Sequence, residues 1–140
     1  MTGQAETLIA FDYGEKHIGV AVGQSLTGTA NPLETIRVTS ASPDWNAISR
    51  IVETWQPNAL VVGLPLNMDG TEQTVTKRAR RFGNQLSWRY KLPVHLVDER
   101  LTTREARDRL AAEGRAGSDD HPVAAQIILE SWLNEQQSSA

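Results

Sequence analysis

Acidic side chains that could do chemistry stand at three separate places in this 140-residue chain. Asp12 closes the apolar run that begins at Leu8. Asp98 and Glu99 close a second run, Val94 to Val97. Asp119 and Asp120 stand before His121, where a final apolar segment starts. Carboxylates gathered at one place repel unless a cation lies between them. Oxygen donors favour hard divalent ions, magnesium above all. Two such ions about 4 Å apart stabilise the attacking and leaving oxygens of a phosphoryl displacement. That chemistry needs no covalent protein nucleophile, and the chain has no cysteine. Singly, each acid has a plainer reading. Asp12 suits a turn before Tyr13-Gly14, and Asp98 and Glu99 suit surface pairs with Arg100 and Arg104. Asp119 and Asp120 suit a helix N-terminus, with His121 as a cap residue. The joint reading depends on the fold bringing the three places together.

The elements that must position them follow from periodicity. Thr7 to Asp12 reads as a strand, Tyr13 to Lys16 as a turn, and His17 to Gly23 as a second strand of a hairpin. Leu33 to Val38 is a third strand. Ser42 is a good N-cap with Pro43 at the first helical position, and Ile48, Ile51, Val52 and Trp55 share one helical face. Ala59 to Leu64 is a strand buried on both faces, and Val94 to Val97 is another. Between them Val75, Ala79, Phe82 and Leu86 mark a helix with basic residues on its other side. Thr102 to Glu105 is a capping box for a helix reaching about Glu113. Pro122 opens a last helix with Ala124, Ile127, Ile128 and Trp132 on its apolar side. The order is β-β-β-α-β-α-β-α-α. It predicts an α/β fold, a five-stranded mixed sheet flanked by helices, which is the ribonuclease H-like layout. In such sheets sites form beyond the carboxyl ends of parallel strands, where Asp12 and Asp98-Glu99 end. The loop at 119–121 can fold back over that edge.

Composition limits the alternatives. Residues 1–140 are expected to form a single domain with a polar tail at 135–140. No apolar run reaches the roughly 18 residues of a membrane helix, and the first residues do not form a secretory signal, so a cytoplasmic protein with no membrane partner is expected. Net charge is −3, yet 11 of the 14 basic residues lie between Lys77 and Arg115. That stretch balances at +6 against −9 for the rest. A basic segment on an acidic chain suits a polyanion; a solvated face of Glu-Arg pairs is the alternative. The tryptophans, Trp88 included, are at spacings suited to packing, with base stacking as the alternative for Trp88.

Four segments carry a resemblance: LIAFDYGEKHIGVAVGQSLTGTANPL at 8–33, LVVGLPLNMDGTEQ at 60–73, VDERLTTREA at 97–106 and VAAQIILESWL at 123–133. In these the chain resembles the YqgF (RuvX) family of Holliday junction resolvase-like and pre-ribosomal-RNA nuclease proteins. The resemblance implies a ribonuclease H-like fold, a cytoplasmic location and a metal-dependent endonuclease using Mg2+ or Mn2+ as two ions. The first family acid falls on Asp12 and the second on Glu99. The third is a departure: position 121, where the family carries Asp, is His. Either His121 is a ligand, or Asp120 takes the role after a one-residue shift; loss of the site is a third outcome. The expected catalytic set is Asp12, Glu99 and Asp120, with His121 added as a metal ligand. Lys16, Asn67, Thr71, Arg100 and Arg104 are expected to contact nucleic acid.

The leading expectation is a nuclease acting on structured RNA, the 5′ end of the small-subunit ribosomal RNA precursor, in ribosome biogenesis. A rival is a Holliday junction resolvase on branched DNA, which requires a homodimer for two symmetric cuts, whereas the RNA reading permits a monomer. A second is a non-catalytic RNA- or ribosome-binding factor. The sugar kinase and actin lineage, which shares the Asp-x-Gly turn, needs two such domains around a cleft.

Overall fold

The computed structural model describes residues 6–40, 42–99 and 121–138. Six strands form one curled sheet: β1 (Thr7–Tyr13), β2 (His17–Gln24), β3 (Thr29–Thr39), β4 (Ser42–Pro43), β5 (Ala59–Leu64) and β6 (Val94–Asp98). Among the described residues three helices accompany them: α1 (Trp45–Trp55), α2 (Thr74–Tyr90) and α3 (His121–Ser138). The strand order is β4-β3-β2-β1-β5-β6. β1 to β4 pair antiparallel as a meander, and β5 and β6 run parallel to β1. The sixth strand and the longer β3 correct the expected count of five.

Both corrections have local causes. Pro32 has no N–H to give a ladder, so Asn-Pro reads as loop in the sequence. The chain absorbs it at a bulge, where β2 shifts register between Val20 and Ala21 and Pro32 pairs with Ala21. Ser42 and Pro43, expected to open α1, instead pair with Thr39 and Val38. Asp44 is the N-cap, its carboxylate accepting from the Ala47 N–H at 3.2 Å. α1 ends with Gln56 in the left-handed region at φ 45°, its N–H donating to the Val52 carbonyl.

Alternation along β1 divides the core. Ile9, Phe11 and Tyr13 face α1 and α2, packing with Ile48, Ile51, Ala79 and Phe82. Phe11 meets Phe82 edge-on with ring centroids 5.4 Å apart. Leu8 and Ala10 face α3, with Val61, Ile128, Leu129 and Leu133. β6 was expected to be fully buried; it is the sheet edge, half-buried, with Leu96 41% exposed. α3 runs through Ser138, so the tail expected from residue 135 is helical up to there. Its buried residues are Val123, Ala125, Ile127, Ile128, Leu129 and Leu133, so the expected Ile127 and Ile128 are buried, Trp132 is half-buried against the core, and Ala124 is only half-buried. Among the described residues no helix is long and apolar enough to cross a membrane. The helix expected between Thr102 and Glu113 lies outside the described residues.

Candidate functional site

β1, β5 and β6 run in parallel, so Tyr13, Leu64 and Asp98 end at one edge of the sheet. Asp12 is in the last rung that β1 shares with β5, paired with Gly19 on one side and Gly63 on the other. Directly paired residues share a face, so the row Gly19–Asp12–Gly63 looks toward α3. The rungs below are also small beside β1: Ala21–Ala10–Val61, then Gly23–Leu8–Ala59. The absent side chains let α3 approach the backbone. A Cβ at Gly23 would lie 2.7 Å from Leu129 Cδ2. A Cβ at Gly19 would collide with the His121 carbonyl. Glycine inside a strand signals such close approach, and that signal was available in HIGVAVG and LVVGL.

Glu99 stands one residue beyond β6. Its N–H donates to the Leu64 carbonyl at 3.2 Å, one more bond continuing the β5–β6 pairing. That bond brings its side chain back over β5, where a Cβ at Gly63 would be 2.8 Å from Oε2. Across Gly63 the carboxyls of Asp12 and Glu99 are hydrogen-bonded to each other. Two carboxyls can bond only if one keeps a proton. Burial pushes the Asp12 carboxyl up, while the bond to Glu99 and the nearby His121 pull the other way. Glu99 is pushed up to about 9, first by burial, then by the charge of Asp12, the bond it donates to Asp12, and the charge of Asp98. The pair therefore keeps one proton between its two carboxyls.

His121 opens the described part of α3 above this row. Its ring stacks on His17, with centroids 5.1 Å apart and planes 20° from parallel. Among the described residues no three acid or histidine side chains gather tightly enough to grip an ion. Asp119, Asp120, Arg100 and Arg104 lie outside the described residues. The Asp12–Glu99 pair fits a hard divalent cation on two counts. Its donors are all oxygen, and Gly63 keeps the space between the strands open to the Glu99 carboxylate.

The expected nucleic-acid contacts are placed as follows. Lys16 is exposed in the turn between β1 and β2, at the same edge. Asn67 and Thr71 are exposed in the loop after β5. There Asn67 Nδ2 donates to Thr71 Oγ1 at 2.9 Å, and Thr71 Oγ1 donates to Asp69 at 2.6 Å. Gly70, at φ 89°, makes the turn, so these side chains hold the loop's own shape. The loop is tied to α2, where the buried Thr76 hydroxyl donates to the Pro65 carbonyl. Trp45 packs on Phe82 and Trp132 stacks on His95. Trp55 and Trp88, expected to be buried, are exposed, Trp88 by 74%. Their positions on α1 and α2 point away from the sheet, which periodicity near a helix end does not reveal.

A family model described as "RuvX: Holliday junction resolvase" matches residues 6–135. A protein of Aeromonas hydrophila named "Putative pre-16S rRNA nuclease" is 53% identical over 137 residues, covering 94% of this chain and 97% of that protein. One of the same name from Nitrosococcus oceani is 53% identical over 135 residues, covering 94% and 88%. Among solved structures, Thermus thermophilus RuvC in complex with Holliday junction substrate superposes with a TM-score of 0.59 at 17% identity, covering 96% of this chain and 98% of that one. Fowlpox virus resolvase with its junction DNA gives 0.56 at 8% identity, covering 93% and 98%. These two likenesses concern the fold, and they agree with the ribonuclease H-like layout expected from element order. The match to the family model, with half-identical relatives along nearly the whole chain, makes this chain a member of the RuvX family.

Proposed function

We propose that this chain is a divalent-metal-dependent endonuclease, working as one domain in the cytoplasm, that cuts a ribosomal RNA precursor near the 5′ end of its 16S part. The observation that carries the reading is the hydrogen-bonded Asp12–Glu99 pair at the carboxyl edge of the sheet. The names of its half-identical relatives supply the substrate. Asp12 and Glu99 would hold the metal, with Asp120 or His121 as the third donor. When bound, Mg2+ or Mn2+, as two ions, would activate water and take charge from the leaving oxygen.

The chain's own part is positioning. β1 and β6 end side by side across β5, so two acids far apart in sequence meet with little freedom. Metal entry requires the Asp12–Glu99 pair to release the proton its carboxyls share, because only carboxylates are ligands. The packing of α3 on Gly19 and Gly23 fixes His121 over the site. Basic residues near the same edge, Lys16 and the first turns of α2, would meet phosphates.

The test is purified protein with a precursor fragment spanning the 5′ end of 16S rRNA. Cleavage is expected with Mg2+ or Mn2+, and none with chelator or with Asp12→Asn. Equal cleavage by Asp12→Asn would end the reading. A second reading, resolution of four-way DNA junctions, is favoured by the description of the matched family model. It requires a dimer and paired symmetric cuts on a junction, which the same preparation can be assayed for.

A further inference from the structure

Helix α2, TVTKRARRFGNQLSWRY, holds five basic residues and no acid. Three of the five have partners: Arg80 pairs with Glu72 at 2.7 Å, Arg78 lies 3.7 Å from Glu15, and Arg89 lies 4.0 Å over the Trp45 ring. Lys77 and Arg81 are exposed and form no ion pair among the described residues. Together with Asn84 and Trp88 they fall at i, i+4, i+7 and i+11, opposite the buried Ala79, Phe82 and Leu86. Lys77, Asn84 and Trp88 are exposed to solvent, and Arg81 is exposed at the rim of a cleft. Lys91, just past the helix, puts its ammonium 5.3 Å from the Trp88 ring.

A bare indole among cations, on a helix without one acid, is an unusual surface. An apolar protein partner would call for further apolar neighbours, and the stripe has cations and an amide instead. The placement adds direction. α2 starts beside the site edge, where Thr76 is bonded to the Pro65 carbonyl, and runs back along β5. Arg78 and Arg81 line a cleft with Tyr13, Ser42 and Gln85, along the first half and middle of α2. Trp88 lies eleven residues past Lys77, or about 16 Å along the axis.

We propose that the outer face of α2 is a nucleic-acid track, on which Lys77 and Arg81 meet backbone phosphates and Trp88 stacks an unpaired base at the end remote from the acids. The inference rests on the nuclease reading and deepens it: the substrate carries a single-stranded segment leading away from the cut. An aromatic platform can stack only a base free of its own stack. The cations on the way neutralise phosphates regardless of sequence.

The test is titration of the full chain, in chelator, with single-stranded oligouridylate and with a blunt RNA duplex, read by tryptophan fluorescence and by anisotropy of labelled RNA. Quenching by the single strand is expected, and it should be lost in Trp88→Phe, whose ring still stacks but does not report. Trp88→Ala should weaken single-strand binding by about 5- to 150-fold and leave duplex binding unchanged. Lys77→Ala with Arg81→Ala should weaken both and flatten the salt dependence of binding by about 1.5 in log–log slope. Trp88 is exposed, so its variants should fold, which circular dichroism checks. Wild-type affinity in Trp88→Ala, or preference for polyglutamate over RNA, would overturn the proposal. If Trp88→Ala binds as wild type while the native protein cleaves with metal, only this inference falls. If the native protein neither binds nor cleaves RNA, the nuclease reading falls with it.

Discussion

Gly63 is the floor under Glu99: a Cβ there would stand 2.8 Å from Glu99 Oε2 and 2.6 Å from Ile128 Cδ1. Gly63→Ala should therefore displace both the acid and the helix packed beside it. Overpacking of this kind costs about 1–3 kcal/mol. Gly19→Ala should cost more, since its Cβ meets the His121 main chain, which cannot rotate aside. Denaturant melts of the two variants, beside metal-dependent cleavage, check both. Unchanged cleavage in Gly63→Ala would contradict the placement of Glu99.

Asp12→Asn and Glu99→Gln should move activity and stability in opposite directions. Each removes a carboxylate proposed to hold the metal, so on that proposal cleavage should fall by at least about 100-fold. Each also removes a buried ionisable group that the metal-free fold must keep protonated or leave charged out of water. In chelator at pH 8 both variants should melt above wild type, by roughly 3–6 °C for each kcal/mol recovered. Calorimetry with and without metal separates the two effects.

The pH dependence of the metal-free protein has a definite sign. Glu99 is pushed from its ordinary 4.5 up to about 9 in the fold. Between those values the folded chain holds a proton that the unfolded chain has lost, so unfolding releases it. Stability of the metal-free protein should thus be greatest at low pH, as far as this group goes, and fall as pH rises from about 4.5 to about 9. Saturating Mg2+ or Mn2+ should remove the slope, and so should Glu99→Gln. Melting temperature against pH, with chelator or with metal, measures it.

Gly83 offers a contrasting case, a helix-interior glycine far from the acids. Gly83→Ala gains about 0.8–1 kcal/mol of helix propensity. Its Cβ would lie 3.1 Å from Leu96 Cδ2, the end of a flexible side chain that is 41% exposed and free to give way. The variant should melt a few degrees higher with cleavage unaltered. A lower melting point would mean that β6 cannot yield.

How much could be read in advance depended on whether a signal was local. β1, β2, β5 and the buried face of α2 follow from apolar runs, alternation and helical spacing, because the strands are buried on both faces and the helix on one. The start of α1 did not, because Ser42, Pro43 and Asp44 are all acceptable helix openers. Only the pairing of Ser42 with Thr39 decides among them. The extra length of β3 was hidden by Asn31-Pro32, since a bulge is a property of two strands. Asp12 and Glu99 were legible as acids at strand ends. Their shared proton was not, because it depends on how closely Gly63 lets the strands bring them together. Of the family's third acidic position, His121 is placed against His17, and Asp120 lies outside the described residues.

The sheet order β1-β5-β6 has a consequence for synthesis. The two acids are contributed by the beginning of the chain and by a segment some two-thirds along it, with β5 required between them. A nascent chain still short of residue 99 owns one acid and no partner for it. Whatever hydrolytic capacity the pair confers can arise only once translation has passed that point.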